Sequence, residues 1–361
     1  MHAIKDLSEL DGKIGRLFMA GMPGTELDEK TEALIRDRGL GGVILFSRNI
    51  ESPLQLTELC NDLQDKAMKY QGTPLFLAVD QEGGPVARLV EPFTPFPGNT
   101  AIGKNKNPVD KAVSFARITA KEMALVGLNM DLAPVVDVQC REPEKHLFGR
   151  TFSDDPQKVA LLGRTVVKIL QENGVMAVAK HFPGLGKASL DPHFHLPKID
   201  VTAEELEEVN FPPFREVIEE GVSGIMTSHA LYPFLDPERP STLSRKTLKG
   251  FLRNTLGFNG LIITDDLEMG ALEKNWGVSK GAALAFEAGA DILLICQDQD
   301  KVLEGMKILS NSLLRGEISL SRLDQSLARI KEAKSRFLGQ MKKASLEEVG
   351  AYFDQAKNRD A

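Results

Sequence analysis

Hydrophobic residues along this 361-residue chain gather in short continuous blocks rather than in strict alternation. Eight blocks, many rich in Val and Ile, read GRLFMAG (15–21), GGVILFS (41–47), PLFLAVD (74–80), NMDLAPVVDV (129–138), VMAVAKH (175–181), VSGIMTSH (222–229), GLIITDD (260–266) and ADILLIC (290–296). Unbroken apolarity predicts strands buried on both faces, as in a parallel sheet. Longer amphipathic segments separate them. In TAEELEEVNFPPFREVIEEG, Thr202 with Glu205 three residues on predicts a capping box, and Gly221 a stop. DPQKVALLGRTVVKILQENG (155–174) also ends at a glycine, and SKGAALAFEAGA and QDKVLEGMKILSNSLLRG read as further helices. Eight strand–helix pairs predict an α/β fold, and their number favours a (β/α)8 TIM-type barrel over an open doubly wound sheet. The first strand lacks the G-x-G-x-x-G that a dinucleotide site needs. No strong linker or low-complexity tract divides the chain. Residues 1–340 are therefore expected to form one domain, with 341–361 appended as a polar helical tail.

Composition narrows the class. With 42% hydrophobic residues the chain is long enough to bury a large core. The net charge is -7 and no basic stripe is present, so nucleic acid is not an expected partner. The N-terminal segment MHAIKDLSELDGKIGRLFMAG does not read as a signal peptide, and no window approaches the roughly 20 apolar residues of a membrane span. Cys60, Cys140 and Cys296 are far apart, odd in number and without metal-ligand spacing. A reducing, cytoplasmic setting fits them, although one pair could still bridge.

In a barrel of this kind, chemistry sits at the C-terminal ends of the strands. Here the blocks turn polar at that end, with Asp80, Asp137, Lys180 and His181, His229, and Asp265 with Asp266. Any one of them is consistent with a solvated strand end; five in succession predict a carboxylate-rich pocket.

The loop KHFPGLGKASLDPHFHLP (180–197) holds three of the chain's six histidines, His181, His193 and His195. Pro192 biases Asp191 toward an extended conformation. Residues i and i+2 then share a side, so Asp191 can accept a bond from one His193 nitrogen. The other nitrogen is left for proton exchange and made more basic. The same contact can also be purely structural. The D-x-H-x-H series has the donor types of a metal site, although a histidine in such a series more commonly packs or faces solvent. HFPGLG lacks the Gly-Lys-Ser/Thr ending of a phosphate-binding loop. Asp265 follows LIIT at a strand tip, where a carboxylate can attack an anomeric carbon, bind a metal or cap a helix. Arg88 and Arg150 stand beside Gly-rich turns, either as surface residues or as clamps on a polyhydroxylated or anionic ligand.

These pieces together resemble a known family. VDQEGGPVARL, FGRTFSDDP, KHFPGLGKASLDPHFHLP, MTSHALYP, STLSRKTLKGFLRNTLGFNGLIITDDLEMGAL and EAGADILLIC follow one another between about residue 12 and residue 335. Their content and order are similar to the glycoside hydrolase family 3 β-N-acetylglucosaminidases, the single-domain bacterial type acting in peptidoglycan recycling. The resemblance implies a (β/α)8 catalytic domain and a retaining, exo-acting β-N-acetylhexosaminidase. Its substrate would be a terminal β-linked N-acetylglucosamine, as on a muropeptide fragment, and no metal or organic cofactor would be required. Asp265 becomes the nucleophile, His193 the acid/base and Asp191 its orienting partner. Asp80, Arg88, Arg150, Lys180 and His181 become contacts to the terminal sugar. The strap departs from the family's G-H-G-D-T, reading Gly184-Leu185-Gly186-Lys187-Ala188, with Pro192 in place of the usual serine. Lys187 brings positive charge to the strap and predicts a preference for an anionic aglycone. The alternatives are a family 3 β-glycosidase for another sugar, a phosphorylase, a metal-dependent barrel hydrolase using Asp191, His193, His195 and Asp265, and a sugar-binding protein without turnover.

Overall fold

All eight blocks form parallel strands of one sheet in the computed structural model, which describes residues 7–139, 145–339 and 342–357. The strands are Phe18–Gly21, Gly42–Ile44, Phe76–Val79, Met130–Asp131, Met176–Phe182, Gly224–Thr227, Leu261–Ile263 and Leu293–Ile295. The first seven pair in chain order, and the eighth returns to the first with Leu293 opposite Phe18. A bridge between Ile263 and Ile292 joins the seventh strand to the eighth and closes the ring. Every one of these strand residues is buried, which is why the sequence shows runs rather than alternation.

The fourth strand is shorter than its block. Pro134 has no N–H to give to a ladder, and beyond Asp131 the chain follows the fifth strand irregularly through a Val135–Lys180 bridge. Asp137 therefore ends no strand; it lies fully buried beneath the mouth.

Cap chemistry places the helices. Glu205 N–H donates to Thr202 Oγ1 at 3.1 Å and Thr202 N–H to Glu205 Oε2 at 3.0 Å, completing the capping box. Pro212 and Pro213 then remove two N–H donors, and Leu206–Asn210 forms a π turn ahead of the helix Phe211–Glu219. Asp155 caps the helix Pro156–Glu172 through the Gln157 N–H at 2.9 Å.

The C-terminal helix, Leu346–Lys357, is not simply polar. Val349 and Phe353, four residues apart on one face, are buried in the core. The Phe353 ring meets Phe93 edge-on at 4.8 Å, and the Tyr352 hydroxyl donates to Glu122 at 3.2 Å. The expected domain boundary at 340–341 and Cys140 lie outside the described residues. Cys60 and Cys296 are buried free thiols. No helix among the described residues is long and apolar enough to cross a membrane.

Candidate active site

The floor of the barrel mouth is a charge lattice. Asp80 follows the third strand and leads into a hairpin of Gln81–Gly83 and Val86–Ala87, turned by Gly83 and Gly84 at φ 79° and 60°. Positive φ is where glycine alone is unstrained. Side chains at 80 and 82 share a side of this extended segment. Lys180, near the C-terminal end of the fifth strand before Phe182, reaches both, with Nζ 2.7 Å from Asp80 Oδ1 and 2.7 Å from Glu82 Oε1. Arg150 grips Glu82 with two bonds of 2.8 Å, and Arg88 Nη2 donates to Asp80 Oδ2 at 3.2 Å. Burial would raise both carboxyls, yet Lys180 with Arg88 holds Asp80 at about 2, and Lys180 with Arg150 holds Glu82 at about 2. The Lys180 ammonium is raised in turn: burial opposes its charge, and Asp80 and Glu82 outweigh burial. The charges are thus fixed before any ligand arrives, and the donors are held in place.

Glu82 was not among the residues singled out from sequence. Its side chain is wholly buried, and it joins Lys180 to Arg150. The signal was available in the i, i+2 spacing from Asp80 within VDQEGG.

His181 is positioned from below. Its Nδ1 lies 2.7 Å from Asp137 Oδ2, and its Nε2 faces Arg150 Nη2 at 3.5 Å, which favours the tautomer protonated on Nδ1. Asp137 also accepts the Leu185 N–H at 2.7 Å and so ties down the root of the strap. Asp137 and His229, read from sequence as rim residues, instead stand behind the site. His229 is buried between Thr242 Oγ1 at 2.7 Å and the Asp266 carbonyl at 2.9 Å. Burial lowers its pKa.

The strap brings Asp191 and His193 together, but not by extended alternation. Residues 192–194 form a turn, with the Phe194 and His195 N–H groups both donating to the Asp191 carbonyl at 3.1 Å. Asp191 Oδ1 accepts the His193 N–H at 2.9 Å and lies 2.6 Å from His193 Nδ1. These bonds outweigh partial burial and lower the Asp191 carboxyl. The strap rests on Gly270, whose N–H donates to the His193 carbonyl at 2.9 Å. A Cβ there would come within 2.8 Å of that oxygen, so the close approach requires glycine. Of the replaced strap residues, Leu185 and Ala188 are buried and pin the root. Lys187 pairs with Glu205 and does not line the cleft, which removes the expected positive charge at its mouth. His195 is exposed. Among the described residues no group of three or more His, Cys, Asp and Glu side chains is arranged to hold a metal ion.

Asp265 leaves the seventh strand half-buried and accepts the Asp266 N–H at 2.9 Å. Burial pushes the Asp266 carboxyl up to about 7, with Glu268 and Asp265 adding repulsion. Between the ordinary carboxyl range and pH 7 the folded protein therefore keeps a proton that the unfolded chain has lost. Its contribution to stability is full at the acid end and is lost as pH rises through 7. Asp266→Asn keeps an oxygen for the Glu268 N–H at 3.1 Å. The gain in Tm over wild type is expected to be larger at pH 8 than at pH 5, as read by thermal denaturation. Equal shifts at both pH values would contradict the buried-carboxyl account.

Asp80, Arg88, Arg150, Lys180, His181, His193 and Asp265 line one cleft of about 270 Å³, and Asp191 supports it from under His193. The family model described as "Glycosyl hydrolase family 3 N terminal domain" matches residues 9–333. The chain belongs to glycosyl hydrolase family 3. Within the family it is 38% identical to a beta-hexosaminidase of Nitrosomonas eutropha, over 78% of this chain and 81% of that protein. It is 34% identical to the beta-hexosaminidase of Pseudomonas aeruginosa, over 78% of this chain and 82% of that protein. Its fold superposes on a family 3 beta-N-acetylglucosaminidase from Paenibacillus sp. str. FPU-7 with a TM-score of 0.89 and 37% identity, covering 91% of this chain and 62% of that one. It also superposes on NagZ from Neisseria gonorrhoeae, solved in complex with N-trifluoroacetyl-D-glucosamine, with a TM-score of 0.78 and 29% identity, over 95% and 96% of the two chains. The cleft opens at the C-terminal end of the strands, where TIM barrels keep their chemistry.

Proposed function

We propose that the cleft releases terminal β-linked N-acetylglucosamine with retention, in two steps through a glycosyl-Asp265 intermediate. The coarser statement rests on kinship: this is a glycoside hydrolase with β-N-acetylhexosaminidase activity. The observation that carries the finer reading is the 2.6 Å contact between Asp191 and His193 Nδ1, made on the strap of the cleft that holds Asp265. With Nδ1 engaged, Nε2 is the ring nitrogen free to exchange a proton. In the first step the Asp265 carboxylate attacks the anomeric carbon, the bond to the leaving oxygen breaks, and His193 protonates that oxygen. In the second, His193 takes a proton from water, the water oxygen bonds to the anomeric carbon, and Asp265 leaves as carboxylate. The half-exposed position of His193, at 58% for its side chain, suits a group that must meet both an aglycone and incoming water. The terminal sugar lies on Asp80, Arg88, Arg150, Lys180 and His181. Peptidoglycan fragments as the source and a cytoplasmic setting complete the reading. The free thiols Cys60 and Cys296 agree with a reducing compartment.

The test is turnover of aryl β-glycosides of N-acetylglucosamine, glucose and xylose by the purified protein, with the first-formed product anomer read by NMR. The N-acetylglucosaminide is expected to be cleaved fastest, to give the β-anomer first and to need no phosphate. An α-anomer formed first, or turnover that depends on phosphate, would overturn the retaining hydrolase.

A further inference from the structure

The His146 side chain takes no part in the bonded lattice of the cleft. The residue sits in the short 3-10 turn Lys145–Leu147, just ahead of Arg150, and its side chain lines the cleft with Arg150, His181 and His193. Its own carbonyl accepts Arg150 Nη1 at 2.9 Å, so the imidazole and the guanidinium that grips Glu82 are held as one corner. Yet both ring nitrogens, Nδ1 and Nε2, are covered and have no hydrogen-bond partner among the described residues. Arg88 Nε is also unpaired, but that guanidinium is anchored through Nη2 on Asp80, and Asp80, Glu82, Lys180, His181 and Asp191 all have partners. Leaving a buried donor and acceptor unmade is costly. A buried polar group left unpaired calls for a cause, and in a cleft a bound ligand supplies one.

The surroundings define what the imidazole can bind. Burial lowers its pKa, the nearby His181 and Arg150 add to this, and Asp191 and Asp137 oppose it. It is therefore a neutral ring near neutral pH, offering one N–H donor and one nitrogen acceptor. That pair suits a hydroxyl or an amide, which can accept and donate at once. An anion would find no acceptor use for it, and a cation no charge.

We infer that His146 is a specificity-determining residue that hydrogen-bonds the terminal sugar of the substrate at the Arg150 corner of the cleft. This rests on the glycosidase reading of the site and deepens it. The Asp191 carboxylate, which bonds His193, also acts on His146 through its charge, raising the imidazole's pKa against the effect of burial.

The test uses His146→Leu and His146→Gln in the full chain, with inhibition by free N-acetylglucosamine as the binding readout. Leucine removes two unpartnered nitrogens from a covered position, so Tm is expected to rise by about 1–3 °C. The same change is expected to raise both KM for the aryl N-acetylglucosaminide and Ki for the free sugar by about 5–50-fold. Both losses should be indifferent to the leaving group. Glutamine keeps a donor and an acceptor and should recover part of the affinity. Wild-type Ki should worsen on acidification as the ring gains a proton and loses its acceptor, and the glutamine variant should lose that dependence. A Ki for free N-acetylglucosamine that is unchanged in both variants, while wild type turns over the glycoside, overturns the role of His146 and leaves the glycosidase reading standing. A Ki that rises only in step with a fall in Tm makes His146 structural and overturns the inference too. Wild type that neither cleaves the glycoside nor binds the sugar overturns the reading of the site, and the inference with it.

Discussion

Asp265→Ala is expected to lower kcat by at least about 10⁴-fold on every β-glycoside the protein cleaves, while the Tm stays within a few degrees of wild type. A covalent nucleophile cannot be replaced by water in the same geometry, so its loss removes the route rather than slowing one step of it. The fold should tolerate the change because Asp265 carries little of it. The carboxylate is half-buried, and its bond to the Asp266 N–H is local. Neither Lys180 nor Arg150 bonds to it; Lys180 is held by Asp80 and Glu82, and Arg150 by Glu82. Alanine therefore strands no buried cation. Kinetics on the variant beside a thermal melt check both halves. Wild-type turnover in the variant would move the nucleophile elsewhere, with Asp266 the next to test.

The second large effect belongs to His193. With a poor alkoxide leaving group, His193→Ala is expected to lose about 10²–10⁴-fold in kcat/KM, the range that general acid catalysis supplies. With a very acidic phenol the first step needs no proton and should be nearly spared. Water still needs a base in the second step, so a glycosyl-Asp265 intermediate should accumulate and show a burst. Asp191→Ala should resemble a milder His193→Ala, because it leaves the ring present but unaimed. Its carboxylate makes both the backbone and the ring contact to His193, and nothing else on the strap replaces them. The double variant should be little worse than His193→Ala alone, since the two act as a unit. Pre-steady-state and steady-state rates across a leaving-group series measure all of this. A penalty that ignores leaving-group pKa would make the histidine structural.

The barrel was legible because its strands are short and buried on both faces, so apolar runs and intervening helices could be counted directly. Cap chemistry was equally plain at Thr202 and Glu205, where the bonds are local. Long-range features were not. Pro134 shortened the fourth strand and left Asp137 buried behind His181, which no local pattern distinguishes from a strand end. The Asp191–His193 contact was anticipated, but its turn depends on the Asp191 carbonyl and on docking against Gly270. Lys187 looked like a charge at the mouth until Glu205, eighteen residues away on a helix cap, claimed it. The C-terminal segment looked polar because Leu346, Val349, Tyr352 and Phe353 are its only large apolar residues beyond Met341, yet Val349 and Phe353 are buried in the core. Glu82 and His146 show the same limit within the site. One sits in a quoted motif beside a more obvious aspartate. The other sits in a turn with no pattern at all, and its place in the cleft is purely tertiary.

The central claim is that Asp265 bonds covalently to the anomeric carbon of an N-acetylglucosaminyl unit. The most direct measurement is to incubate the protein with a fluorinated N-acetylglucosaminyl fluoride that slows the second step, then digest it and locate the adduct by mass spectrometry. The account predicts one sugar per chain, attached to the Asp265 carboxylate, with activity lost in proportion and regained as the adduct turns over. An adduct on another residue, or continued turnover with no adduct and an inverted product, would contradict it.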